Sequence, residues 1–355
     1  MMRLKTRTEN KKRGRQKISS KKSSQVWLLL RSAVILALLG TELLAARLSI
    51  IDVAGTPHYD LATAGKALGM QAVWTKTGQK VELRSKWTTL KFEVDARDFV
   101  LNNRKIYLGR PLTIHKGRPL ITQKDFLLTI RPILAPQTLA RKPVLRRVVI
   151  DAGHGGRDFG AQNTSQSLRE KDLTLDVAFR LKRILEADGF QVFLTRKNDT
   201  YIPLDQRGDF ANRMHADLFI SIHFNSVAKV DVRGLETYLL PQPWTASTSR
   251  SALEPMDKQT YPGNKDDGWN SLVGFYVHKT LVERLAVVDR GLKRSRFKVL
   301  KNLGCPGMLV ELGFISHNNT AQLLRQSQYR EKLAISLAKG IQLYRATQKR
   351  LGGKA

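Results

Sequence analysis

VLRRVVIDAGHGG, residues 144–156, runs from an apolar strand straight into a glycine-rich turn. A continuous apolar run, unlike an alternating one, fits a strand covered on both faces. The next segment, DLTLDVAFRLKRILEADG (172–189), places Leu173, Val177, Leu181, Ile184 and Leu185 on one helical face and ends at Gly189. QVFLTR (191–196), DLFISIHF (217–224), GLETYLL (234–240) and MLVELGF (308–314) are further short apolar strands. Residues 204–215, 271–287 and 329–346 read as helices. Strand alternating with helix predicts an α/β domain over residues 147–347, a mostly parallel twisted sheet flanked by helices.

Upstream the rhythm differs. Residues 48–135 carry short alternating segments broken by Gly, Asn-Asn and Lys-Gly turns, with a short helix at 60–69 set by Leu61, Ala64 and Leu68. That pattern predicts a small α+β module. Its two histidines, His58 and His115, stand alone and suggest no chemistry. Residues 136–146, with two prolines and several basic side chains in and beside them, form the expected linker. At the N-terminus, residues 1–24 hold ten Lys/Arg and one acid, Glu9. Residues 25–46 are mostly apolar but contain Arg31 and Glu42. A basic block before an apolar segment is the order of an export signal or signal anchor, which keeps the block cytoplasmic and exports the remainder of the chain. The expected location is therefore the periplasm or cell envelope, with anchorage in the inner membrane through residues 25–46 if the segment is retained.

Composition narrows the classes. The chain has 355 residues and a formal net charge of +31, from 61 Lys+Arg against 30 Asp+Glu. Such a charge calls for a polyanionic neighbourhood. Aromatics are 7%, without the interleaved platform a nucleic-acid binder would use, so an anionic envelope polymer fits the charge better. A single cysteine, Cys305, excludes an intramolecular disulfide framework and a Cys-rich zinc module. It is expected to be a buried thiol.

In open α/β sheets, ligands bind beyond the carboxyl ends of the strands. Those ends carry His154 in the glycine turn, His223 followed by Asn225, and Glu311 within an otherwise apolar strand. Glu170 stands just before the first long helix. Two imidazoles and one carboxylate make a hydrolytic zinc shell with an open position for water, and a second, non-ligating carboxylate is the base such a site needs. The plainer reading makes His154 a turn residue and His223 a core histidine; Glu311 is harder to dismiss, because a buried carboxylate is costly unless paired or functional.

Residues 147–347 contain, in order, VVIDAGHGGRDFGA, LREKDLTLDVAFRLKRIL, VFLTRKNDTYIPLDQRGDFAN, ADLFISIHFNS, GLETYLL, DRGLKRSRFKVL and PGMLVELGFISH. Through these motifs, which follow the family's order, the stretch resembles the zinc-dependent N-acetylmuramoyl-L-alanine amidases of bacterial cell-wall turnover. The resemblance implies that His154, Glu170 and His223 ligate one zinc ion and that Glu311 is the catalytic carboxylate. It also makes Asn225, Arg196 and Arg207 candidate substrate-site residues, although both arginines could equally form structural ion pairs. The implied reaction is hydrolysis of the amide between the lactyl group of N-acetylmuramic acid and L-alanine in peptidoglycan, with an activator protein as a candidate partner and no nucleic acid. Two places depart from the family pattern. His317 stands where the family usually has Asn, read as a surface change, and 241–270 is a polar insert expected to be a loop. Residues 48–135, through ALGMQAVW, KVELRS, FVLNNRKIYLG and KGRPLITQKDF, resemble the small module at the N-terminus of copper amine oxidases. That resemblance implies a stalk or wall-binding module without a copper site. A non-catalytic peptidoglycan-binding regulator and a zinc carboxypeptidase of similar architecture are the competing readings.

Overall fold

The computed structural model describes residues 48–352; the expectations for residues 1–24 and 25–46 fall outside the described residues. Among the described residues, no helix is long and apolar enough to cross a membrane.

The first stretch is a run of strands: β1 (Ile51–Val53), β2 (Thr56–Asp60), β3 (Gln71–Lys76), β4 (Lys80–Arg84), β5 (Thr89–Glu93), β6 (Asp98–Leu101), β7 (Arg104–Tyr107), β8 (Thr113–His115) and β9 (Arg118–Thr122). Helix α1 (Leu61–Lys66) lies between β2 and β3; Asp60 caps it by accepting from Thr63 N, and it buries Leu61 and Ala64, as the spacing predicts. The second stretch supplies β10 (Arg147–Ala152), the short pair β11 (Gln162–Asn163) and β12 (Leu168–Arg169), β13 (Gln191–Leu194), β14 (Leu218–Asn225), β15 (Leu235–Leu239), β16 (Asp289–Arg294) and β17 (Gly307–Phe314). Its main helices are α2 (Glu170–Ala187), α3 (Leu204–Arg213), α4 (Asp267–Leu285), α5 (Asn318–Arg325) and α6 (Ser327–Arg350).

Eleven strands form one sheet in the order β13-β10-β14-β17-β15-β16-β7-β6-β5-β4-β3. β10 runs parallel to β13 and β14, and β14 parallel to β17. β15 is antiparallel to β17 but parallel to β16. Within the catalytic half four of the five strand pairs are parallel, as expected, with β15 and β16 both running opposite to the other four strands. Along β10, Val148 and Ile150 pack into one apolar layer and Val149 into another. Cover on both faces is why this strand is apolar without alternation.

The sheet does not stop at the domain boundary. β16 pairs in parallel with β7, Leu292 opposite Ile106, and the β7-to-β3 meander extends the same sheet. One apolar layer likewise contains Phe92, Phe99 and Ile106 together with Val148, Ile220 and Val310. The connecting segment 136–146 is packed in: Val144 and Leu145 are buried, Leu145 N donates to Gln348 Oε1 at 2.9 Å, and Lys142 pairs with Asp266 at 2.6 Å.

The 241–270 insert is a loop with 3₁₀ turns at Pro255–Lys258 and Pro262–Asp266, and its last residues are the first turn of α4. It is pinned at both sides. Buried Arg296 donates to Gln242 O (3.0 Å), Thr245 O (2.6 Å) and the Asp257 carboxylate, and Arg97 of the N-terminal module donates to Ala246 O at 2.9 Å. The helix expected at 329–346 is the central part of α6, and α5 precedes it across a break at Gln326. His317 begins α5 as its N-cap: its Nδ1 accepts from Thr320 N at 3.2 Å, the work an Asn would do there.

Candidate metal centre

His154 sits in the turn after β10 with φ +61°, a left-handed conformation that costs a non-glycine residue about 1–3 kcal/mol and persists only when its surroundings enforce it. Two buried arginines do so. Arg207 donates to Ala152 O (3.0 Å) and His154 O (3.0 Å), and pairs with buried Asp151 at 2.9 Å. Arg196 donates to Ala152 O (3.0 Å), Gly153 O (2.9 Å) and Lys171 O (2.7 Å). Both guanidinium groups are spent on the protein, so they hold the turn in place and are not free to touch substrate. Gly153 is required by close approach: a Cβ there would lie 2.4 Å from His223 Cε1. Gly160 combines φ +63° with a Cβ position 2.6 Å from Glu170 Oε2, so a side chain there would push the carboxylate aside.

Glu170 is the first residue of α2, where the helix dipole favours a negative charge. Its Oε1 lies 3.1 Å from His154 Nε2 and 3.0 Å from His223 Nδ1, and accepts from Phe224 N at 2.9 Å. Its Oε2 accepts from Ala161 N at 2.8 Å. Burial alone would raise this carboxyl, but the two imidazoles outweigh it and hold the group far below the usual carboxylate range. For His154 burial likewise works against charge, and Glu170 followed by Asp158 reverses the sign, leaving its pKa raised. Asp158 Oδ1 stands 2.9 Å from His154 Nδ1, within ion-pair distance of the ring. The imidazole rings of His154 and His223 meet edge to face, centroids 4.9 Å apart.

Ligand atoms of His154, Glu170 and His223 all lie within 4.8 Å of one another. Donors about 2.0–2.1 Å from a common tetrahedral zinc ion would lie roughly 3.3–3.4 Å apart. The 3.0 and 3.1 Å separations from Glu170 to the two rings are close to that span, so the three side chains could hold a metal ion.

Beside this group runs a row across three strands. In register, His223 of β14 is opposite Glu311 of β17, and Glu311 is opposite Glu236 of β15. Among the described residues, Glu311 Oε2 is buried without a hydrogen-bond partner. Burial, then the nearby charges of Glu170 and Glu236, push its carboxyl well above the usual range. Glu236 is buried too but fully satisfied, by Lys293 (2.6 Å), Arg290 (2.8 Å), Tyr238 (2.9 Å) and Asn225 (3.0 Å). Asn225, expected beside substrate, thus commits its amide nitrogen to Glu236. Sequence reasoning singled out Glu311 and passed over Glu236, although GLETYLL shows the same signal: a carboxylate inside an apolar strand. Cys305 is a buried thiol, as expected, and burial pushes it up to about 12.

An α/β sheet that gathers two imidazoles and a carboxylate at its strand ends, with an unpartnered carboxylate alongside, has the arrangement of a metal-assisted hydrolase. Comparison with known proteins narrows this class. Residues 148–343 match the family described as N-acetylmuramoyl-L-alanine amidase, and residues 45–127 match the copper amine oxidase N-terminal domain. The chain is 33% identical over 198 residues to a sporulation-specific N-acetylmuramoyl-L-alanine amidase of Bacillus subtilis (strain 168), covering 55% of this chain and 67% of that protein. It is 33% identical over 205 residues to the amidase LytC of the same organism, covering 58% of this chain but only 36% of that longer protein. A solved N-acetylmuramoyl-L-alanine amidase from Clostridium difficile 630 is 30% identical, with a TM-score of 0.48 over 57% of this chain and 97% of that one. The family match spans more than half of the sequence, and the chain belongs to the N-acetylmuramoyl-L-alanine amidase family. Both resemblances expected from the motifs are borne out.

Proposed function

We propose that this amidase is a zinc enzyme of the cell envelope that hydrolyses the amide between the lactyl group of N-acetylmuramic acid and L-alanine in peptidoglycan. The observation that carries the reading is the convergence of His154, Glu170 and His223 next to the unpartnered carboxylate of Glu311. Zinc held by the three ligands would supply Lewis acidity toward water and the amide carbonyl. Glu311 acts as general base, taking a proton from the attacking water at its free Oε2, and then returns that proton to the leaving amine. Glu236, opposite Glu311 in register, holds Arg290 and Lys293 and adds a negative charge beside the base. Arg207 and Arg196 are positioning residues that hold the His154 turn. A base without a partner in the resting protein suits this role, since no competing hydrogen bond has to break. The basic block 1–24 followed by the apolar 25–46 supports export to the envelope, where the net charge of +31 would meet anionic polymers.

The test is mass analysis of products from purified peptidoglycan incubated with the chain, with and without a zinc chelator, beside Glu311→Ala. Free stem peptides beginning at L-alanine, released only with zinc and Glu311 both present, are the expected result. Cleavage inside the stem peptide would replace this reading with a carboxypeptidase. Activity that appears only after an envelope extract is added to the zinc-loaded chain would mark a need for an activator protein.

A further inference from the structure

A cavity of about 330 Å³, not lined by the metal ligands, lies between the N-terminal module and the 241–270 insert. That volume falls in the roughly 300–1,000 Å³ range of small-ligand sites. Its walls include Thr56 at the start of β2, Arg110 just after β7, Lys124 just after β9, and Trp244 with Thr245 of the insert.

Trp244 is the unusual wall. It is 51% exposed, yet its backbone sits at φ +66°, a conformation that disfavours a bulky residue. A buried ion cluster holds it there. Trp244 N donates to Asp257 O at 2.6 Å, and the Asp257 carboxylate is clamped by Arg250 (3.1 Å to each oxygen) and by Arg296. Folding alone gives no reason to enforce a left-handed conformation in order to leave an indole in solvent; strain of this kind collects at ligand sites.

The exposed charged side chains around the indole are cations. Arg110 and Lys124 are exposed; Lys124 Nζ donates to Pro243 O at 2.8 Å, and neither side chain has a carboxylate within ion-pair distance among the described residues. Lys258 Nζ adds a third cation, 5.5 Å from the Trp244 ring centroid. The carboxylate in the wall, Asp125, is buried and spent on Gly109 N (2.6 Å), Arg110 N (3.2 Å) and the Thr122 hydroxyl (2.7 Å). An aromatic platform, hydroxyl-bearing walls and unneutralised cations together suit a sugar ring that carries an acid.

The amidase reading, on which this inference rests, supplies such a sugar. Hydrolysis breaks the lactyl C–N bond, places the water's oxygen on the carbonyl carbon and sends a proton to the amine. Each muramic acid that was a neutral amide becomes a carboxylate. We propose that the cavity between the module and the insert binds peptide-free muramic acid, the enzyme's own product on the glycan strand, with the sugar on Trp244 and the lactyl carboxylate toward Arg110 and Lys124. The site would keep the enzyme on strands it has begun to strip.

Titration calorimetry of the zinc-loaded chain tests this, with three probes: the N-acetylglucosaminyl-N-acetylmuramic acid disaccharide, the same disaccharide with its lactyl acid converted to an amide, and inorganic phosphate. The free acid should bind, and the amide should bind roughly ten-fold more weakly or less. Trp244→Gly and the double variant Arg110→Ala/Lys124→Ala should each weaken the acid by about ten-fold or more, while hydrolysis of a short soluble muropeptide stays unchanged. Trp244→Gly doubles as a folding control: glycine prefers the left-handed conformation, so this variant should melt no lower than the parent. Equal binding of acid and amide, absence of binding at millimolar disaccharide, or unaltered binding by the variants would each overturn the proposal. Phosphate binding as tightly as the sugar acid would reduce the cavity to a plain anion site and overturn it too. Binding is read without turnover, so a failed amidase reading would appear in the hydrolysis assay and leave this result separate.

Discussion

Glu236 and Glu311 are register partners on neighbouring strands, and they meet the cost of burial in opposite ways. Glu236 collects two cations, a phenol and an amide; one Glu311 oxygen collects nothing. A buried carboxylate oxygen left without a partner fits the proposed role of base. Glu311→Gln should lower the rate of amide hydrolysis by about 10²–10⁴-fold, the usual contribution of a general base, with zinc stoichiometry by mass spectrometry unchanged. Loss of zinc together with activity would instead make Glu311 a ligand. Glu236→Gln should behave differently: it leaves the partly exposed Arg290 and Lys293 without a counter-charge and should cost about 1–2 kcal/mol in urea unfolding, with a fall in kcat greater than any change in KM. At this scale the sequence shows residues that break a local rule. His154 and Glu311 interrupt glycine turns and apolar strands, and both belong to the convergent group. Glu236 breaks the same rule, but its meaning comes from Arg290 and Lys293, which only the sheet brings to it. Nor can spacing reveal how a guanidinium is used. Arg196 and Arg207 lie in the right motifs and are buried bracing the His154 turn, through backbone carbonyls and, for Arg207, the Asp151 carboxylate.

Local propensity places α4 at 271–287, whereas the helix runs from Asp267 to Leu285. The extra turn, Asp-Gly-Trp-Asn, is held by tertiary contacts. Trp269 packs edge to face on Tyr344 at 5.8 Å, and Asn270 bridges Gly263 O (3.1 Å) and Gly307 N (2.8 Å). Propensity loses to packing here, as it often does at helix ends. The extension also buries Asp267, and burial pushes its carboxyl up to about 6 despite Arg294 and the Asn264 hydrogen bond. The sign of the linkage is then fixed. Between the unfolded value of 3.8 and about 6, the folded chain holds a proton the unfolded chain has lost, so this residue's contribution falls as pH rises through that window. Asp267→Asn should be nearly neutral for stability below pH ~4 and stabilising by about 1–3 kcal/mol at pH 7. Denaturant unfolding at both pH values measures this directly; a variant less stable at pH 7 would mean that Asp267 is ionised and paired.

Two sequence patterns suggest two bodies joined by a linker, and the fold makes one continuous sheet of them. The alternation that marks the N-terminal module is legible, as is the apolar run that marks the catalytic half. Their junction is not, because β7 and β16 are far apart in sequence and each reads as an ordinary edge. In the folded chain the seam is dense. Lys105 N donates to Asp289 Oδ2 at 2.9 Å, Asp289 Oδ1 lies 2.8 Å from His278 Nε2, and Arg104 pairs with Glu283 at 3.2 Å. Gly291 lies on β16 with φ +102°, and a Cβ there would come within 2.8 Å of the Tyr107 ring. The neighbours of Gly291 on the same strand, Arg290 and Lys293, are the cations paired with Glu236, the register partner of Glu311, so one strand carries both the seam and the Glu236 ion pairs. Gly291→Val combines a forbidden backbone conformation with a clash against Tyr107 and should destabilise the chain by about 2–4 kcal/mol. If the sheet is one cooperative body, calorimetry should give a single transition for the parent and a single, lower one for the variant, and hydrogen exchange at β6 and at β14 should accelerate together. Two transitions, with only the N-terminal strands losing protection, would mean that the module is an independent stalk resting against the amidase and that Glu236 is held without its help.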